Sequence, residues 1–225
     1  MYRRAMGYLK EWQNRASRKP LVVRGARQVG KSYLVRMLAA EAFENFLEIN
    51  LETDVDAPSL FASKDPATIL PLLEARYDMA LEPGKTLLFL DEIQAAPELL
   101  APLRYFHESL PELHVIAAGS LLDFALAEHE FSMPVGRIEY LHLGPMSFEE
   151  FLLAAGKEGL VAFAGRFAPG EEVPQAIHSE FTRLLKQFLV VGGMPASVEA
   201  YIASGSHRES EAVRQGILST YRDDF

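Results

Sequence analysis

The chain has 225 residues, 49% hydrophobic and 24% charged, a balance that excludes a disordered polymer and suffices for a large buried core. Its formal charge of −9 is unevenly spread: residues 1–36 hold ten of the 22 Lys and Arg but one of the 31 Asp and Glu, so they carry +9 and the remainder −18. An acidic body argues against a broad nucleic-acid surface, the absence of Cys removes disulfide and thiolate-metal chemistry, and no apolar run nears the roughly 18 residues of a membrane helix. No apolar signal core follows the basic start Met1–Arg4, so a soluble, cytoplasmic protein is expected.

In chain order, Ala5, Tyr8, Leu9, Trp12 and Ala16 share one face of a helix expected over residues 2–16. Its basic outer face suits either a membrane surface or packing on the following domain. Lys19 and Pro20 end it, and Leu21–Arg24 is a short buried strand. A helix is expected over Lys31–Ala42 and a second strand over Phe46–Asn50. Asp65 and Pro66 cap a helix carrying Ile69, Leu72, Leu73, Tyr77 and Ala80 inward. Thr86–Leu90 is the third strand. Pro97 opens a helix with Leu99, Leu103, Phe106 and Leu110 inward, His114–Ala118 is the fourth strand, and Ile138–Leu143 the fifth.

Such alternation predicts an α/β fold, a parallel sheet with helices on both faces. Beyond Ser147 and Glu150, a capping box, the pattern changes. Residues 156–174 are rich in Gly and Pro and read as a loop, and residues 175–222 read as helical, broken at Gly192–Pro195. The expected organisation is a core over 1–155, a linker over 156–174 and a small helical subdomain over 175–225.

The strongest chemical signal is Gly25, Ala26, Arg27, Gln28, Val29, Gly30, Lys31 and Ser32, which together satisfy G-x-x-x-x-G-K-[ST]. Glycines at both ends let backbone N–H groups approach phosphate oxygens, and the helix that starts here aims its positive end at the same anion. Lys31 is expected to reach the β- and γ-phosphates and Ser32 to ligate Mg²⁺, with the adjoining Tyr33 counted among the nucleotide-binding positions. The strand Thr86–Leu90 runs into Asp91 and Glu92, a Walker B pattern about 60 residues downstream with one strand between. Asp91 is the expected Mg²⁺ ligand and Glu92 the general base. Ser120, at the end of the fourth strand, fits either a sensor of the γ-phosphate or water, or the N-cap of a helix beginning at Leu121.

Beside these motifs stand Leu90–Gln94, Ala118–Ser120, Pro134–Ile138, Leu143–Phe151 and Gly192–Pro195. Together they resemble the predicted AAA+ superfamily ATPases of bacteria and archaea, in which a P-loop domain precedes a C-terminal domain of unknown function. The resemblance implies a P-loop NTPase sheet with an additional strand, in the order 5-1-4-3-2, and ATP with Mg²⁺ as ligands. It also implies two residue roles. Arg137 stands where these ATPases carry a Gly-Arg before the fifth strand, as an arginine finger or sensor in cis or in trans, or else as a surface arginine paired with Glu139 or a neighbouring acid. Gly193 to Pro195 is similar to the G-x-P motif of related signal-transduction ATPases, whose proline backs the adenine; the alternative is a simple helix break.

The six histidines show no metal-ligand spacing and read as structural or solvent-facing. No Asn-Lys-x-Asp motif is present, which favours ATP over GTP. Family members continue past Phe225, so the chain is expected to be a truncated product or fragment. The functional expectation is an ATP-hydrolysing conformational switch. Its alternatives are a tight ATP/ADP-binding scaffold with little turnover and a regulator of a DNA-acting effector domain. Association with a second copy or a partner protein is expected through the helical subdomain, with no membrane and no nucleic acid as partners.

Overall fold

The computed structural model describes residues 1–120, 122, 136–168 and 170–223. Five strands, β1 (Leu21–Arg24), β2 (Asn45–Asn50), β3 (Thr86–Asp91), β4 (His114–Gly119) and β5 (Glu139–His142), form one sheet. All neighbours are parallel and the order is β2-β3-β4-β1-β5, the expected order read from the opposite edge. Burial follows position in the sheet. The central β3 and β4 are buried at every residue, whereas edge strand β2 mixes buried with partly exposed positions and edge strand β5 alternates partly exposed with exposed ones. The fourth strand sits between β1 and β3, which fixes which chain segments meet at the carboxyl ends.

One face of the sheet, with Val22, Leu88, Leu90, Val115 and Ala117, packs against Ile69 and Leu73 of α3 (Pro66–Tyr77) and Leu103 and Phe106 of α4 (Leu103–Ser109). Residues one step along the strands face the other way. That side is covered by α1 (Ala5–Gln13) and α2 (Lys31–Ala42), which bury Met6, Leu9 and Trp12, and Leu34, Val35 and Leu38. The indole of Trp12 donates to the Lys19 carbonyl at 2.8 Å, so the largest core side chain of α1 leaves no polar group idle.

Several helices differ from their expected bounds. The first spans 5–13 rather than 2–16, because turns closed by Asn14 and Arg15 N–H groups on Glu11 and Trp12 carbonyls wind the chain out of the helix. The third ends at Asp78 in a left-handed conformation, before Ala80, and Leu72 is exposed. The helix expected from Pro97 is instead a 3-10 turn over Pro97–Leu100 followed by α4, whose N-cap is Pro102. Proline lacks the N–H that a continuous helix would use there. Residues 156–174 are not a loop throughout. They contain α5's successor α6 (Glu158–Ala164), a seven-residue helix without a buried side chain, α5 being Phe148–Ala154. Flanking Gly156 and Gly165 disguise it. The helical stretch beyond is three helices, α7 (Gln175–Val191), α8 (Pro195–Ser204) and α9 (His207–Asp223), with an additional break at left-handed Gly205.

The chain divides into two compact units, Ala5–Leu143 and Met1–Arg4 with Gly144–Phe225, so the expected boundary near 155 moves to 143/144. A capping box starts α5 in the second unit. Ser147 Oγ accepts from Glu150 N at 3.2 Å and Glu150 Oε2 accepts from Ser147 N at 2.8 Å. The other Glu150 oxygen accepts from Arg3 Nε at 3.1 Å and Arg4 N at 2.8 Å, and Arg3 Nη2 donates to Gly144 O at 2.6 Å. Residues 1–4 are thereby bound to 144–150. In the same unit Met146, Phe151, Val191 and Val198 form a core joined by Phe148, Phe188 and Tyr201.

Five of the ten N-terminal bases thus have acidic partners. Besides Arg3, Arg4 pairs with Glu149, Lys10 with Glu41, Arg15 with Glu139 and Arg36 with Glu48. The charge asymmetry along the sequence is partly cancelled in space. Removing one partner of the buried Arg3–Glu150 pair leaves the other charge alone at a cost of about 3 kcal/mol. Arg3→Met is expected to lower the urea midpoint accordingly, whereas Arg4→Met, at an exposed pair, is expected to change it by well under about 1 kcal/mol; equal effects would refute the distinction.

His114 is buried at the amino end of β4, edge-on to the rings of Trp12 and Phe43, with its nitrogens near Arg18 Nη2 (3.3 Å) and the Gln13 carbonyl (3.2 Å). Burial, and then the Arg18 charge, push its pKa from 6.5 down to about 4. The folded protein therefore resists a proton that the unfolded chain accepts. The stability contributed by neutral His114 is complete above pH 6.5 and is lost as pH falls toward about 4. His114→Gln should flatten the fall in Tm across that window, and an unchanged slope would assign the acid sensitivity elsewhere.

Candidate nucleotide-binding site

The site is built at the carboxyl ends of β1, β3 and β4. After Arg24 the chain turns away at Gly25, where a Cβ would lie 2.1 Å from the Leu143 carbonyl oxygen, so only glycine fits. Leu143 N in turn donates to Arg24 O at 2.7 Å, extending the β1–β5 pairing into the loop. Val29 is fully buried and anchors the loop to the core, while Gln28 takes a left-handed φ of 62° and Gly30 one of 91°. Gly30 is the N-cap of α2 and offers no side-chain acceptor, so the first N–H groups of the helix face the loop's concavity uncapped.

Lys31 opens α2 and is 7% exposed, its Nζ donating to Gly25 O at 3.0 Å and Ala26 O at 2.9 Å. Burial lowers its pKa, against which the charges of Glu92 and Asp91 act, while Arg27 adds to the lowering. Ser32, one residue on, places its hydroxyl near enough to the Asp91 carboxylate to favour that group's charged form. The two residues expected to hold Mg²⁺ are therefore neighbours, although 59 positions separate them in the sequence. Asp91 is 3% exposed. Burial raises its pKa, and the Glu92 and Glu48 charges raise it further, against the Ser32 hydroxyl and the Glu92 N–H. Tyr33 is 53% exposed on the surface of α2.

Glu92 follows the end of β3 with a left-handed φ of 53°, an uncommon conformation for a non-glycine residue. Its N–H donates to Asp91 Oδ1 at 3.0 Å and its Oε2 accepts from Gln94 Nε2 at 2.7 Å. Gln94 Oε1 accepts from Ser120 N at 3.2 Å. Ser120 is 1% exposed and its Oγ has no hydrogen-bond partner among the described residues. Leu121 lies outside the described residues, as do 123–135, hence the helix-capping alternative for Ser120 and the first two residues of the Pro134–Ile138 motif do too.

Two further expected positions have partners of their own. Arg137 Nε donates to Glu108 Oε1 at 2.7 Å, a half-exposed pair with a neighbouring acid. Pro195 opens α8 in the helical unit, after Gly193, whose Cβ would lie 2.4 Å from the Met146 carbonyl oxygen; Met146 N donates to Gly193 O at 2.6 Å. The two motif segments at 143–147 and 192–195 thus pack on one another. Gln94 was unassigned from sequence. The only signal was its place two residues after Glu92, within reach of the same carboxylate once the chain turns.

No curated protein sequence matches the chain. Among solved structures it is similar to C. elegans PCH-2, at 13% identity and a TM-score of 0.46, over 95% of this chain and 67% of that one. The family model described as an AAA domain matches residues 17–152, more than half of the chain and all of the loop, strand and carboxylate positions above. The chain belongs to this AAA domain family and is an AAA+ nucleotide-binding protein.

Proposed function

We propose that the chain binds ATP in the loop 25–32 and hydrolyses it. The observation that carries this reading is the placement of Ser32 on Asp91, beside the buried Lys31 ammonium group and next to Glu92. Lys31 would trade loop carbonyls for phosphate oxygens, and the uncapped start of α2 would supply further N–H donors. The donor set of the Ser32 hydroxyl and the Asp91 carboxylate suits Mg²⁺, a hard cation that prefers oxygen. A buried carboxylate beside two further acids also carries negative charge that a divalent cation would offset. Bound there, Mg²⁺ would neutralise charge developing on the phosphates. Glu92 orients the attacking water and accepts its proton. Ser120, with a spare buried hydroxyl at the end of β4, would report on the γ-phosphate side of the site.

The switch reading has a structural basis too. Gly25 abuts Leu143, the last residue before the chain leaves the α/β unit for the helical one. Loop movement on turnover would act first on that residue. Association would use the helical unit, where Leu185, Leu189 and Val190 of α7 are exposed.

Lys31→Ala is expected to weaken ATP affinity at least about tenfold in a calorimetric titration, and equal affinity would refute the loop assignment. Glu92→Gln should retain ATP binding while phosphate release falls about 100-fold. Persistence of turnover would remove Glu92 as base, and loss of both binding and turnover would mark it as structural.

A further inference from the structure

Gln94 uses both ends of its side-chain amide. Its Nε2 donates to Glu92 Oε2 at 2.7 Å and its Oε1 accepts from Ser120 N at 3.2 Å. The pattern fixes the amide's orientation, since a carboxylate can only accept and a backbone N–H can only donate. The chain between the two acids and Gln94 is equally constrained. Glu92 is left-handed, and a 3-10 turn over Ile93–Ala95, closed by Ala95 N on Glu92 O at 2.9 Å, brings Gln94 back toward it. The space that receives the amide exists because residue 119 has no side chain. A Cβ on Gly119 would lie 2.7 Å from Gln94 Oε1 and 2.8 Å from Ile93 Cγ2. A glycine before Ser120 therefore serves a side chain on the turn that follows the neighbouring strand β3.

From this arrangement we infer that Gln94 is a positioning residue for hydrolysis: it ties the Glu92 carboxylate to the end of β4, so that Oε2 is held and Oε1 is presented to the water. The inference rests on the proposed role of Glu92 as base. It adds a physical link between two strand ends that contribute separately to the site. Without it, a glutamate side chain with three rotatable bonds would sample orientations of which few direct an oxygen at the water. The link runs through the main chain of β4. A shift at Ser120 would therefore move the base, and the orientation of Glu92 is coupled to whatever the adjacent Ser120 hydroxyl contacts.

The test measures ATP affinity and single-turnover phosphate release on the full chain for Gln94→Leu, Gln94→Glu, Glu92→Gln and the double variant Glu92→Gln/Gln94→Leu. Gln94→Leu removes the donor at similar size. Gln94→Glu keeps the shape but sets a carboxylate against Glu92. Both are expected to lower the rate about tenfold or more, with ATP affinity within about twofold of the parent. The double variant should be no slower than Glu92→Gln alone, because with no carboxylate to orient, Gln94 has nothing left to do. Gly119→Ala, if its Tm shows it folded, should reproduce the Gln94→Leu rate by displacing the amide.

An unchanged rate in Gln94→Leu, or the same further loss in the Glu92→Gln background, would overturn the inference while leaving Glu92 as base. Undiminished release in Glu92→Gln would instead overturn the base assignment and this inference with it. Loss of ATP affinity in Gln94→Leu would make the residue part of the binding surface and would likewise overturn a positioning role.

Discussion

A buried ammonium group facing two carboxylates sets the terms for the rest of the α/β unit. Lys31 is desolvated by the loop it opens from, Asp91 by the centre of the sheet, and each would be driven toward its neutral form if it stood alone. The charges of Glu92 and Asp91 oppose that drift at Lys31, and the Ser32 hydroxyl and the Glu92 N–H oppose it at Asp91. The proximity in turn requires a particular strand order. The lysine follows β1 and the carboxylates end β3, yet these strands do not pair; β4 lies between them.

The distribution of charge along the sequence looks different once folded. The basic first segment suggests a surface awaiting an anionic partner. Instead Arg3, Arg4, Lys10, Arg15 and Arg36 each meet a glutamate from a distant segment, and the acidic excess of the remainder is partly spent on them. Beside the phosphate loop, the charges of Arg27 and Lys31 are felt at the same point. The exposed pairs contribute little each. The buried pair of Arg3 with Glu150 differs in kind, since Glu150 also completes the capping box of α5, so one carboxylate starts a helix and anchors the chain's first residues.

How much of this was legible in the sequence depended on whether the signal was periodic or spatial. The strands β1 to β5 were readable within a residue or two, β1, β3 and β4 because buried parallel strands are nearly unbroken apolar runs. The phosphate loop and Asp91-Glu92 were readable because their chemistry imposes fixed spacing. The helix α6 was not, because Gly156, Gly159 and Gly165 suggest a loop and no buried stripe marks a helix. The division at 143/144 was not, because it depends on Arg3 reaching residues more than 140 positions away. Gln94 was visible as a residue but not as a partner of Glu92 and Ser120, since nothing in a linear pattern reveals which strand ends adjoin.

The glycines make the same point in physical detail. A glycine in a motif is usually taken to mean a turn that needs positive φ, as at Gly30. Gly119 and Gly193 have no such φ; what they lack is space for a Cβ. At Gly119 the obstacle is a side chain that holds the carboxylate at Glu92, and at Gly193 it is the Met146 backbone. The two demands tolerate substitution differently. A left-handed glycine replaced by alanine strains its own backbone, whereas a crowded one displaces its neighbour. At Gly119 that neighbour is Gln94, so a methyl group on β4 would register first in the orientation of Glu92, and only secondarily in the stability of the sheet.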